Sequence, residues 1–137
     1  MNIKSILWGV PLVLAVVAAE GNDQPNLDPT STECLAAAIY KEARGESLKG
    51  RLAVAQVVLN RGEPCVVINQ PNQFTWRKTD RLNWDRNSLN LATIILNRGY
   101  SLKGFKATHF HNHTVQPNWS GYITTIGAHK FYYLKPP

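Results

Sequence analysis

Nowhere in the 137-residue sequence does an apolar run reach the roughly 20 residues that a bilayer-spanning helix needs. The longest, residues 6–19, stops after 14 residues, contains Gly9 and Pro11, and is broken by Glu20-Gly21-Asn22-Asp23. That length suits a signal-peptide core, with Lys4 ahead of it and the small residues Val17-Ala18-Ala19 before a plausible cleavage point. Residues 1–19 are therefore expected to direct export, as a cleaved signal or as a short, weakly held anchor. The alternative, a buried first helix, is opposed by Pro11, which would break it. Membrane contact is expected only through residues 6–19.

Cysteine is equally scarce. Cys34 and Cys65 are too few for a zinc site. On the exported side of the apolar run they would most simply pair; in a reducing compartment they would be two buried thiols. Acidic residues are outnumbered, 9 against 15 Lys and Arg, for a formal charge of +6; losing residues 1–19 removes only Lys4 and leaves +5. Such a surface fits an anionic polymer: nucleic acid, an acidic membrane face or a bacterial cell wall. Aromatics interleaved with Lys and Arg are missing, as is a helix with base-reading spacing, so nucleic acid is not an expected partner. A 44% hydrophobic and 18% charged composition excludes a disordered chain, and the length allows one modest domain, expected as a monomer.

Polar residues 20–29, with Pro25 and Pro29, read as a linker, which places the functional domain at 30–137. Thr30-Ser31-Thr32-Glu33 has capping-box spacing, so a helix is expected over 31–44. Its apolar stripe is Leu35, Ala38 and Ile39, and Gly45 is expected to end it in a left-handed conformation. A second helix is expected from 47 or 48 to 60; its apolar residues wrap most of its circumference, which marks it as the buried centre of the domain. Residues 66–86 read as a long surface loop, and 88–97 as a third helix whose pattern echoes the second without a further copy. Past Gly104 two β-prone pieces, 107–111 and 130–134, are expected to form a small sheet. The fold class is α+β: mainly helical, with a short sheet near the C-terminus.

Within YKEARGES, residues 40–47, Glu42 occupies the next place in the apolar stripe of the first helix. A carboxyl there is partly desolvated, which raises its pKa and suits it to protonate a glycosidic oxygen. Glu46, one turn on, adds a like charge if it lies close enough. Alternatively Glu42 turns outward to pair with a surface Lys or Arg. His109, His111 and His113 alternate along a β-prone piece, a spacing that invites a metal. No carboxylate or cysteine nearby in sequence completes a ligand set, so neither metal nor cofactor is expected.

Cys34-Leu-Ala-Ala-Ala-Ile-Tyr-Lys-Glu42-Ala-Arg-Gly-Glu46-Ser, continued by Gly50-Arg-Leu-Ala-Val-Ala-Gln-Val-Val-Leu-Asn60-Arg, resembles the opening motif of the cell wall hydrolases related to the spore cortex-lytic enzyme. The likeness runs on through Gln70-Pro-Asn-Gln-Phe-Thr-Trp76, Ala107-Thr-His109-Phe-His111, Pro117-Asn-Trp119 and Ile126-Gly-Ala-His129-Lys-Phe-Tyr132, about 100 residues in the same order. It implies a lysozyme-like fold that cleaves peptidoglycan glycan strands by a lytic transglycosylase or muramidase reaction, with Glu42 as the catalytic acid. Gln73, Phe74, Trp76, His109 and His111 are then expected at the sugar groove; the alternative of packing onto the core stands level with it for Phe74 and behind it for Trp76. A hydrolytic outcome would want a second carboxylate, for which Glu46 is the first candidate and Asp80 and Asp85 the others. The resemblance fits an exported, periplasmic or wall-space enzyme of wall remodelling or a phage endolysin. Competing readings are a wall-binding module without chemistry and a metal-dependent amidase that uses the histidines.

Overall fold

The computed structural model describes residues 28–136 except 72, 79 and 80. The expected signal at 1–19, most of the linker at 20–29, and Asp80 lie outside the described residues.

Helix α1, Ser31–Ala43, begins where the sequence puts it, because the Thr30 side chain accepts from the Glu33 N–H at 3.2 Å. Its end differs from expectation. Gly45 is not left-handed; the chain leaves through a turn in which the Glu46 N–H bonds the Ala43 carbonyl at 3.0 Å. Ser47 then caps α2, Leu48–Arg61, by accepting from the Gly50 N–H.

The central helix is α1, not α2. Positions 34–39 of α1 are all fully buried, and α1 packs against α2 and against the two helices that follow. Ala36, Ala37 and Ala38 explain this. Small side chains let neighbouring helices approach on several sides, whereas a pattern read from large apolar residues points to α2. α2 instead divides its buried residues between two apolar clusters, one among the helices and one against the sheet.

The expected loop at 66–86 is more structured than its composition suggests. A short helix α3, Pro64–Ile68, opens with Glu63 accepting from the Val66 N–H at 2.9 Å and Pro64 in its first turn. Glu63 also accepts from the Ser31 hydroxyl at 2.6 Å, and beside this contact the Cys34–Cys65 disulfide ties α1 to α3. A 3-10 turn, Thr75–Lys78, follows. Helix α4, Arg86–Arg98, starts two residues earlier than its apolar pattern does, because Asp85 accepts from the Ser88 N–H at 2.7 Å. It ends at Gly99 with φ 64°.

The sheet has three antiparallel strands, β1 His109–Asn112, β2 Tyr122–Ile126 and β3 His129–Tyr132, in the order β1-β3-β2. β2 was not legible, since its residues are mostly exposed and show no alternating pattern. The β1/β3 register sets Phe110 opposite Phe131, and Phe131 is fully buried on Val54 and Val57 of α2. Two polar clamps fix sheet to helices. Asn60 Nδ2 donates to the carbonyls of Phe105 and Ala107 at 3.0 and 2.8 Å, which holds the approach to β1. Glu46 Oε1 accepts from the Ala128 N–H at 3.0 Å in the β2–β3 turn.

Candidate active site

Glu42 stands in the last turn of α1, on the stripe of Leu35, Ala38 and Ile39. Its carboxyl faces an open cleft of about 470 Å³ between the ends of α1 and α2, the loop at Gln73-Phe74, and β1. Burial pushes the Glu42 pKa up from its ordinary value of 4.5, and a hydrogen bond from the Trp76 indole opposes that shift. The indole Nε1–H donates to Glu42 Oε1 at 2.9 Å. Among the described residues that line the cleft, Glu42 is the one that carries a carboxyl group.

The other side chains named from sequence are distributed unevenly around this acid. Gln73, Phe74, His109 and His111 all line the cleft. Phe74 is 6% exposed and also belongs to the helical core, so it serves both packing and wall. Trp76 packs on Phe74, ring centroids 5.8 Å apart, and reaches the acid through its N–H without lining the cleft. Glu46 is held elsewhere: besides the Ala128 N–H, its Oε1 lies 3.3 Å from His129 Nδ1. Glu46 does not contribute to the shift at Glu42, whose causes are burial and Trp76. Asp85 is the cap of α4.

Other residues line the cleft as well, among them Trp119 and Arg61, which the sequence reading did not place there, and His129, which it left between a structural and a groove-lining role. Trp119, 37% exposed, stands edge-on to His109 and His111, with centroids 5.4 and 5.7 Å away. Arg61 lines the cleft from the last turn of α2. His129, at the start of β3, closes the wall near Glu46. The available signals were the Pro117-Asn118-Trp119 motif and the Asn60-Arg61-Gly62 stop of α2; the latter reads first as a helix end.

Hydrogen bonds orient His111, and burial favours the neutral form of His109 and His129. His111 Nδ1 lies 2.7 Å from the Asn112 carbonyl, which only accepts, so this nitrogen carries a proton, and Nε2 lies 2.9 Å from the Tyr132 hydroxyl. Burial, and then the nearby Arg61 charge, keep His109 below the ordinary imidazole value of 6.5. Burial does the same at His129, against the upward pull of Glu46. Among the described residues no group of three His, Cys, Asp or Glu side chains is placed to hold a metal ion.

A small, mainly helical α+β domain of lysozyme-like layout, with a half-buried carboxyl at a helix end facing an open cleft walled by rings and amides, has the form of a polysaccharide-cleaving enzyme. Residues 45–132 match the family described as Cell Wall Hydrolase, and the chain belongs to that family, a peptidoglycan-acting hydrolase. Two solved structures are similar. The catalytic domain of the germination-specific lytic transglycosylase SleB from Bacillus anthracis is 27% identical, with TM-score 0.64, over 80% of this chain and 100% of that one. The catalytic domain of the Bacillus cereus SleB protein is 25% identical, with TM-score 0.62, over 82% of this chain and 100% of that one. No curated protein sequence matches the chain. Glu42 lies three residues ahead of the segment that matches the family.

Proposed function

We propose that this enzyme cleaves the glycan strands of peptidoglycan as a lytic transglycosylase, with Glu42 as its single general acid and base. One observation carries the reading: a carboxyl whose pKa burial raises faces the cleft with no second carboxylate on the walls among the described residues. Trp76 refines it. The indole N–H needs an acceptor, so the unprotonated Oε1 of the neutral acid faces Trp76 and Oε2 carries the proton.

The proton passes from Oε2 to the glycosidic oxygen as the bond from that oxygen to the anomeric carbon breaks. The resulting carboxylate then takes the proton of the muramyl 6-hydroxyl while O6 closes onto the anomeric carbon. The products are a free hydroxyl on the departing strand and a 1,6-anhydro ring, with Glu42 protonated again and no water consumed. Gln73, Phe74, His109 and His111 are proposed to contact the sugars, together with Trp119, whose exposed ring suits a pyranose face. The likeness to an enzyme named as a lytic transglycosylase supports the same reaction type.

Residues 1–19 are proposed to carry the domain, 30–137, out of the cytoplasm to the wall, in host lysis or wall remodelling. The described residues contain no helix long and apolar enough to cross a membrane. Deleting 1–19 is expected to leave wall cleavage intact in vitro and to stop lysis from within the cell; lysis by the truncated form without a helper would contradict export.

The deciding experiment is mass spectrometry of peptidoglycan digested by the wild type and by Glu42→Gln. Anhydro-muramyl ends from the wild type alone are expected. Reducing ends would mean hydrolysis, and no soluble product from the wild type would point to a binding module.

A further inference from the structure

Arg61 has a feature that wall cleavage by Glu42 leaves unused. Its guanidinium lines the cleft, and both terminal nitrogens are engaged: Nη1 donates to Gln73 Oε1 and Nη2 to Gln70 Oε1, each at 2.7 Å. A guanidinium has donors only, so both amides must turn their oxygens toward it. Once the oxygen of a planar amide is fixed, its NH2 is fixed on the other arm. Gln73 lines the cleft, and among the described residues no acceptor meets that NH2. A free glutamine can flip and offer either oxygen or nitrogen; this one presents its donors and has its oxygen occupied.

We infer that Arg61 is a positioning residue that locks Gln73 as a donor for the acetamido carbonyl of an N-acetylated amino sugar, so that the enzyme discriminates against glycan whose amino sugars have lost their acetyl groups. The inference rests on the glycan-cleaving reading above. An acetamido group supplies a carbonyl that accepts. A deacetylated sugar supplies an ammonium, which only donates, and places a positive charge in a cleft that already holds the Arg61 guanidinium. Sugar hydroxyls donate and accept, so they do not explain a fixed amide. A carboxylate on the lactyl or peptide arm would also accept from Gln73, but a contact to it is indifferent to the state of the amino group.

The test compares kcat/KM on N-acetylated peptidoglycan, on the same walls after N-deacetylation, and on those walls re-acetylated with acetic anhydride. The wild type is expected to lose about tenfold on deacetylation, mostly in KM, and to regain it on re-acetylation. Gln73→Glu keeps a partner for Arg61 and turns an accepting oxygen to the cleft, so the ratio between the two walls should shrink toward one. Arg61→Met frees the amide to flip and should also narrow the ratio. Parallel losses on both walls with an unchanged ratio in both variants would make the pair merely structural and overturn the inference. Equal wild-type rates on the two walls would overturn it as well, while leaving glycan cleavage standing. Failure of the wild type to cleave either wall would remove the cleavage reading and this inference with it.

Discussion

Trp76 and Glu42, 34 positions apart in the chain, are joined by a hydrogen bond of 2.9 Å from the indole nitrogen to Oε1. Burial raises the pKa of the acid and this bond lowers it, so the acid strength is set by two opposed effects. Trp76→Phe keeps a ring against Phe74 and removes only the N–H. The pKa of Glu42 should then rise further, and the alkaline limb of the pH–rate profile should move to higher pH. Because the carboxyl also loses its orientation, kcat should fall by about tenfold or more. A pH–rate profile that coincides with the wild type would contradict the role given to the indole.

Glu42→Gln should lower lytic activity by about 10² to 10⁴-fold, the usual contribution of a general acid. Its stability should move the other way at neutral pH. The raised pKa means that the folded state binds its proton more tightly than the unfolded chain, so this group's contribution is fully present below the ordinary carboxyl value of 4.5 and is lost as pH rises through the folded value. Glutamine is neutral throughout and retains an oxygen for Trp76. Thermal melts from pH 4 to 8 should therefore show the variant gaining on the wild type as pH rises; a variant that loses ground would sink the burial argument.

Much of this site was legible because local chemistry wrote it. The Thr30 cap, the stripe ending at Glu42 and the Cys34/Cys65 pair all depend on residues close in sequence or few in number. What was not legible depended on contacts between distant segments. The family resemblance implies a sugar platform at Trp76, yet the fold turns its polar edge to the acid. Trp119 entered the cleft wall only once β1 and β3 paired and set His111 beside Tyr132. Glu46 was ambiguous for the same reason: its partner Ala128 lies 82 positions away, and His129 beside it, in a hairpin that includes an unrecognised strand.

Glu46 offers a clean separation of structure from chemistry. Its carboxylate accepts from the Ala128 N–H, and a Cβ added at Gly127, where φ is +58°, would overlap Glu46 Oε2. Glu46→Gln preserves an acceptor for Ala128, so lysis should persist near the wild-type rate with transglycosylase products. Glu46→Ala should destabilise the fold by about 1 kcal/mol, because it removes the acceptor of the Ala128 N–H and the carboxylate beside the buried His129 ring. Gly127→Ala should also destabilise, through the left-handed backbone and the overlap together. Loss of lysis in a folded Glu46→Gln protein would instead make Glu46 a participant and point to hydrolysis by two carboxylates.

The Cys34–Cys65 bond closes a loop with a sequence separation of 31, for which chain entropy in the unfolded state gives about 3 to 4 kcal/mol. It joins α1, the helix that presents Glu42, to α3, and Cys34 is fully buried while Cys65 is partly exposed, so a reductant must attack from the Cys65 side. Reduction should lower the melting temperature by several degrees, more than a change confined to one surface helix would. Activity well below the new melting point should survive, because the buried face of α1 and the Trp76 contact place Glu42 independently of the bridge. Differential scanning calorimetry with and without dithiothreitol, paired with a lysis assay at low temperature, separates the two effects. An unchanged melting curve would remove the bridge as a stabilising element, and lost activity in a still-folded protein would mean that the bridge positions the acid after all.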